Sequence, residues 1–298
     1  MNIQSLSVVV PNKKCINDCC FCVSKMHCEN IPNLIDISNP DFNIHRQDFL
    51  KRLEFARDNG CNTVMLTGTS EPQQNKQFLH FFAEMNEKLD KPFRWIELQT
   101  TGVLLDDDYL DFLRKTVGVN VISLSVSAFD DAVNQEYTRM PKNASVELKS
   151  LCKKIKEHGF TLRLSINLTD YFNRYESNNS ARFNIRRFFN DIKRDFNPNQ
   201  ITFRILYADN NGSEQSNWVA KHSCNTWNVS NITSAIKTGG IPLEKLPYGR
   251  IKYSYEGMSV VIDDDCMSKK SIEDYKYLIL QPDCKLYSRW DDTASLIF

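Results

Sequence analysis

The chain has 298 residues, with 37 Lys and Arg balanced by 37 Asp and Glu, ten Cys and only ten Gly. Its length suits one large α/β domain or two small ones, and its formal charge of zero argues against broad nucleic-acid binding, which draws on an excess of basic side chains. With 25% charged and 11% aromatic residues, the composition is that of a folded protein and not of a disordered one.

No apolar run approaches the roughly 20 residues needed to cross a bilayer; Val8-Val9-Val10 stops at Pro11. The first residues lack the basic and long apolar regions of a signal peptide. A soluble cytoplasmic protein is expected. Ten Cys in that reducing compartment do not read as a disulfide framework, so their arrangement needs another explanation.

In chain order, residues 5–10 read as a buried strand and are followed by a Cys-rich loop from Cys15 to Cys28. Phe49, Leu50, Leu53 and Ala56 recur at helical spacing over 46–59, and Gly60 ends that helix. Strand 63–67 precedes a helix marked by Phe81, Phe82, Met85 and Leu89. Strand 95–99 precedes a helix around 109–113, and strand 121–125 precedes a helix near 146–156. Strand 162–168 leads to a helix near 185–196, whose basic stretch Arg182–Arg194 reads as an amphipathic outer helix, and 201–206 is a sixth strand. Six strands separated by helices predict parallel β-α units, as a doubly wound sheet or a partial barrel.

Beyond the turn-rich Asp209-Asn210-Asn211-Gly212-Ser213 the pattern changes. A helix around 229–236 is followed by β-like runs at 251–255, 259–262, 277–280 and 286–290, with turns at Glu256-Gly257 and Pro282-Asp283. The expected division is a core over residues 1–215 and a C-terminal α+β extension with hairpins, capping that core, over 216–298.

Cys15-Ile16-Asn17-Asp18-Cys19-Cys20-Phe21-Cys22 places three Cys at C-x3-C-x2-C spacing, immediately after the first strand. Three thiolates on one short loop suit three irons of a cubane cluster, leaving the fourth iron open for chemistry. Other readings stay open at the level of the residues. A zinc site would need Cys15, Cys19 and Cys22 with His27 or Cys28, in irregular pairs. A thioredoxin-like C-x-x-C at Cys19 and Cys22 leaves Cys15 unexplained, and scattered structural cysteines are the plainest alternative.

The loop resembles the C-x3-C-x-Φ-C signature of the radical S-adenosylmethionine (radical SAM) superfamily, with Cys15, Cys19, aromatic Phe21 and Cys22 in register. The resemblance implies a partial (β/α)6 barrel and a [4Fe–4S] cluster on Cys15, Cys19 and Cys22. It also implies S-adenosylmethionine bound at the open iron and cleaved reductively to methionine and a 5′-deoxyadenosyl radical. A flavodoxin- or ferredoxin-type electron donor is implied with it. Cys20 and Cys28 fall outside the signature.

In such a barrel the site lies at the C-terminal strand ends. After the second strand, Gly68 permits close backbone approach, Thr69 and Ser70 offer hydroxyls, and Glu71 suits an ammonium; the same residues also make an ordinary capped turn into a helix. The segment is similar to the family's Gly-Gly-Glu-Pro, which holds the methionine amino group mainly through backbone oxygens, but Thr69 and Ser70 stand where the family has glycines. Gln99 ends the third strand in Gln-Thr-Thr-Gly, similar to the family's polar strand end. Ser123, Ser125 and Ser127 share one face of the fourth strand, and the resemblance makes Ser125 the contact to ribose or carboxylate. Arg163 and Asn167 share a face of the fifth strand, with Arg163 directed either at the ligand carboxylate or at the helices. The five His show no metal-binding spacing.

The expected activity is hydrogen abstraction from a small-molecule or nucleotide substrate, with catalytic residues unassigned. A peptide-modifying maturase is the alternative within the class. Cys224, Cys266 and Cys284 are isolated and do not form an auxiliary-cluster array, which favours the smaller substrate. The alternative from another class is a non-catalytic zinc- or cluster-binding interaction module.

Overall fold

Thr63-Val64-Met65-Leu66-Thr67 shows how the strands of this chain are built. Val64 and Leu66 are fully buried, and Thr63, Met65 and Thr67 between them are half-buried. Strands of a parallel sheet covered by helices on both faces read as continuous apolar runs. Here only alternate residues are fully buried, so one face of β2 packs in the core and the other, with Thr63, Met65 and Thr67, is half-buried.

The computed structural model describes residues 2–26, 45–176, 183–208, 211–246, 250–263, 274–290 and 292–298. His27, Cys28, Arg182, Asp209, Asn210 and Cys266, named above, lie outside the described residues. The first half of the chain runs β1 (Asn2–Val9), α1 (Val23–Met26), α2 (Arg46–Asp58), β2 (Thr63–Thr67), α3 (Lys76–Glu87), β3 (Trp95–Thr100), α4 (Asp107–Phe112) and β4 (Val121–Val126). Next come α5 (Asp131–Thr138), α6 (Leu148–Glu157), β5 (Thr161–Asn167), α7 (Ile185–Asp195) and β6 (Gln200–Arg204). The remainder is α8 (Glu214–His222), α9 (Thr226–Gly239), β7 (Ile241–Lys245), β8 (Ile251–Tyr255), β9 (Met258–Asp263), β10 (Asp274–Leu280) and β11 (Leu286–Tyr287).

The chain forms two units. The first takes in Met1–Asn17, His27–Ile122 and Met267–Phe298. Its strand order is β11-β10-β1-β2-β3. β1 is parallel to both β2 and β10, and β2 is parallel to β3. The register lines up Leu6, Val64 and Ile96, and then Val8, Leu66 and Leu98, on one buried face. Phe49 of α2 meets Phe78 and Phe81 of α3 at ring-centroid distances of 5.8 and 5.0 Å, closing the helical layer. Ser5, Ser7, Glu97 and Gln99 occupy the other face.

The second unit takes in Asp18–Met26 and Ser123–Cys266. Its order is β4-β5-β6-β9-β8-β7. β5, β6 and β9 are mutually parallel, whereas β8 and β7 return antiparallel. Leu162, Leu164, Ile166, Ile201, Phe203 and Val260 form its apolar face. Phe188 of α7 packs at 5.8 Å from Phe203 and stacks on Phe129, also at 5.8 Å.

The six β-α strands and the turns at Glu256-Gly257 and Pro282-Asp283 fall where the sequence places them, and Glu256 and Gly257 adopt φ of 52° and 78°. Four elements were not anticipated: the one-turn helix α1 within the cysteine loop, α5, α8 and β7. α5 and α8 begin at the side-chain caps Asp130 and Ser213, but bury few apolar residues, so they lack helical periodicity. β7, Ile-Pro-Leu-Glu-Lys, is exposed throughout and shows no alternation of burial. The final run is also shorter than expected, pairing only over Leu286–Tyr287. Besides making hairpins, β9 pairs in parallel with β6 and β10 with β1, so the C-terminal residues supply strands to both units.

Candidate functional site

Parallel β-α units present their chemistry at the C-terminal strand ends, and each unit contributes there by itself. In the first unit, β1 ends against β2, with Val10 N donating to Thr67 O at 2.8 Å. Gly68 follows, and a Cβ on it would lie 3.2 Å from Val10 O and 3.3 Å from Val10 N. That contact explains the glycine. Thr69 and Ser70 are half-buried, and Ser70 Oγ accepts from Asn12 Nδ2 at 2.7 Å.

Glu71 is buried, and both of its oxygens are occupied. Oε1 accepts from Asn17 Nδ2 at 3.1 Å, Thr101 Oγ1 at 2.7 Å and Thr101 N at 3.1 Å. Oε2 accepts from Thr100 Oγ1 at 2.6 Å and Gln73 Nε2 at 2.9 Å. Burial pushes this carboxyl above the usual carboxylate range, and the hydrogen bonds from Thr100, Thr101 and Gln73 act against that shift. The side chain therefore ties the post-β2 turn to the end of β3 and to Asn17 of the cysteine loop. Buried Asn17 Oδ1 and Gln73 Oε1 have no hydrogen-bond partner among the described residues. Gln99 is half-buried on the polar face of β3 and donates to Glu97 Oε1 at 3.2 Å.

In the second unit, Asp18 N and Cys20 N donate to Thr138 O and Tyr137 O at the end of α5, at 3.2 and 2.9 Å. Cys22 N donates to Cys19 O, and α1 begins at the next residue. Phe21 is half-buried against Trp218 of α8, with ring centroids 5.9 Å apart. On the polar face of β4 and β5, Asn167 Nδ2 donates to Ser125 Oγ at 3.1 Å and to Ser127 Oγ at 3.0 Å. Arg204, ending β6, donates from Nε to Ser165 Oγ at 2.6 Å and lies 3.5 Å from Asp263 Oδ2 at the end of β9. Arg163 shares this face but not this end. It stands four residues before Asn167, roughly 13 Å along an extended strand, and its guanidinium donates to Gln200 Oε1 at 2.8 and 2.6 Å.

Eight cysteines are described, and none of them is joined in a disulfide. Cys15, Cys19 and Cys22 are half-buried, whereas Cys20, Cys61, Cys152, Cys224 and Cys284 are buried. Burial pushes Cys61 up to about 11, and Cys152, Cys224 and Cys284 each up to about 12. Cys15 belongs to the first unit, and Cys19 and Cys22 belong to the second. Among the described residues no group of three or more His, Cys, Asp or Glu is gathered to hold a metal ion, and no helix is long and apolar enough to cross a membrane.

Asn12, Asn17, Gln73, Thr169 and Asp263 also take part in these arrangements without having been singled out as site residues from the sequence. Thr169 Oγ1 donates to Ser127 O at 2.6 Å, fixing the loop after β4. The one signal for this group was position, each lying within a few residues of a strand end or of the cysteine loop.

No curated protein matches the sequence. Among solved structures, native anSMEcpe with bound AdoMet superposes with a TM-score of 0.54 at 12% identity, covering 96% of this chain and 74% of that one. A radical SAM methyltransferase from Sphaerobacter thermophilus gives 0.53 at 16% identity, covering 89% and 66%. Native anSMEcpe with bound AdoMet and Kp18Cys peptide gives 0.53 at 11%, covering 98% and 75%. The chain spans only 50% to 55% of the length of the first solved structures it matches. At such identities the likeness shows the fold alone, the mixed α/β architecture of parallel strands found in radical SAM partial barrels. The sequence itself goes further. The family model described as Radical SAM superfamily matches residues 9–173, more than half of the chain, and with Cys15, Cys19, Phe21 and Cys22 inside that match this protein belongs to the radical SAM superfamily.

Proposed function

We propose that Cys15, Cys19 and Cys22 hold a [4Fe–4S] cluster, that the strand ends hold S-adenosylmethionine, and that the pair acts on a small-molecule or nucleotide substrate. The observation that carries this reading is the partition of the cysteines. The three of the signature are half-buried, and the other five described are buried. Three accessible thiols on one loop are the donor set that leaves one iron of a cubane open, so in number and chemistry, though not as a gathered cluster, the residues present fit the group. When bound, the cluster and S-adenosylmethionine supply a reducing electron and a 5′-deoxyadenosyl radical.

The chain's own residues bind and orient. Gly68, Thr69 and Ser70 offer backbone groups to the amino acid end of the ligand, and Glu71 keeps that turn in place through its five hydrogen-bond donors. Ser125 and Asn167 offer a hydroxyl and an amide for ribose or carboxylate, while Phe21 supplies an apolar wall and Gln99 a further amide. The Arg204–Asp263 pair places charge at a strand end, which suits a phosphate- or hydroxyl-bearing substrate better than an apolar one.

Anaerobic reconstitution tests the cofactor reading, with about one cubane per chain expected, and zinc without iron or sulfide in the anaerobically purified protein would instead favour the non-catalytic module. Incubating the loaded protein with dithionite, S-adenosylmethionine and a panel of deuterated nucleoside phosphates tests the substrate class. Deuterium transferred from a nucleotide into 5′-deoxyadenosine supports it, and transfer only from added deuterated peptides would replace it by a maturase.

A further inference from the structure

One side chain grips the backbone on both sides of Cys15. Gln74 Oε1 accepts from Ile16 N at 2.9 Å, and Gln74 Nε2 donates to Lys14 O at 2.9 Å. The carboxamide thus does for residues 14–16 what a neighbouring strand would do, in a stretch with no regular secondary structure of its own. Gln74 is itself fixed. It closes the short 3-10 turn Pro72–Gln74, with its own N–H donating to Glu71 O at 3.1 Å. The next residue, Asn75, donates from Nδ2 to Pro11 O at 2.7 Å and caps α3 by accepting from Phe78 N at 2.9 Å. One short segment after β2 therefore holds the cysteine loop at Pro11, Lys14 and Ile16.

We propose that Gln74 is a positioning residue for Cys15, fixing the backbone on either side of it and so the direction in which its sulfur is presented. The inference rests on the reading that Cys15 is a cluster ligand. The chemistry at position 74 is restrictive, because the site needs a donor for Lys14 O and an acceptor for Ile16 N on one planar group. A carboxamide supplies both. Glutamate keeps the acceptor but sets a carboxylate against a carbonyl oxygen, and leucine supplies neither.

The test compares anaerobically reconstituted wild type, Gln74→Leu, Gln74→Glu and, as a control on the exposed side of α3, Gln77→Leu. The readouts are iron per chain, iron loss to a chelator, the electron paramagnetic resonance spectrum and midpoint potential of the dithionite-reduced protein, and amide exchange at Ile16 in the metal-free protein. Each hydrogen bond lost is worth about tenfold in the equilibrium it supports. Gln74→Leu should therefore lose iron about tenfold faster or more, with a shifted spectrum and faster exchange at Ile16. Gln74→Glu should keep the Ile16 protection while still losing iron faster, and Gln77→Leu should match wild type.

A merely structural role would lower the melting temperature without moving the spectrum or the potential of the molecules that remain folded. Gln74→Leu and Gln74→Glu proteins that match wild type in chelation rate, spectrum and potential would overturn the inference alone. Wild type that takes up no iron would bring down the cluster reading, and this inference with it. Should Gln74→Leu fail to fold, Gln74→Glu decides the matter by the same spectrum and chelation rate.

Discussion

If the signature cysteines are the accessible ones and the others are packing residues, alkylation separates them sharply. The thiolate is the reacting form. At pH 8 a thiol pushed up to about 11, as Cys61 is, holds about 100-fold less thiolate than one at the ordinary 9.0. For Cys152, Cys224 and Cys284, pushed up to about 12, the factor is about 1,000. Burial of the sulfur slows reagent access further. Pulsed iodoacetamide labelling of anaerobic, metal-free protein, followed by digestion and mass spectrometry, should label Cys15, Cys19 and Cys22 first, with Cys61, Cys152, Cys224 and Cys284 slower by at least two orders of magnitude. After reconstitution the three fast sites should become protected, and the slow ones should not change. If Cys152 and Cys224 label as fast as Cys19 and Cys22 in folded protein, the partition on which the cluster assignment rests is wrong.

Cys61 also predicts a pH dependence of stability. Its folded value is raised above the unfolded one, so its contribution is fully present below pH 9 and is lost as pH rises through about 11. Two units correspond to about 3 kcal/mol, and urea titrations between pH 8 and 11 should show a loss that the Cys61→Ala variant lacks; equal pH slopes would refute it. Phe188→Ala removes a fully buried ring flanked by Phe183, Phe189 and Phe203 at 5.2 to 5.8 Å, and should cost about 3–5 kcal/mol in urea unfolding. A loss under 1 kcal/mol would mean that the second unit's core is not centred on Phe188. Asn167→Ala deletes the amide that bridges Ser125 and Ser127 and should weaken S-adenosylmethionine binding about tenfold. Calorimetry on loaded protein reads this, and unchanged affinity would move the ligand off this face.

Much of the fold could be read from the sequence, because the β-α strands are short apolar-rich runs, β2 and β6 alternating in burial and β3, β4 and β5 buried over most of their length, and each major helix carries an apolar stripe. α5 and α8 were illegible because they are defined by their caps, Asp130 and Ser213, while their surfaces are largely polar. The parallel pairing of β9 with β6 is a long-range contact that no local pattern encodes. The cysteine spacing was visible at once, since metal ligands are spaced by chemistry. The support around it was not. Glu71 looked like a ligand for an ammonium because its charge is evident in the sequence, and its five donors are not. Gln74 acts on residues about 60 positions earlier in the chain, a separation no motif spans. Arg163 lies on the predicted polar face, but far from the strand end, because a face is set by alternate residues and depth along the strand by register.

The central claim is that Cys15, Cys19 and Cys22 together support reductive cleavage of S-adenosylmethionine. Its most direct test is to quantify 5′-deoxyadenosine by mass spectrometry after adding dithionite and S-adenosylmethionine to anaerobically reconstituted wild type and to the Cys15→Ala, Cys19→Ala, Cys22→Ala triple variant. Wild type should form 5′-deoxyadenosine and the variant none. Equal product from the two proteins, or none from iron-loaded wild type, would contradict the account.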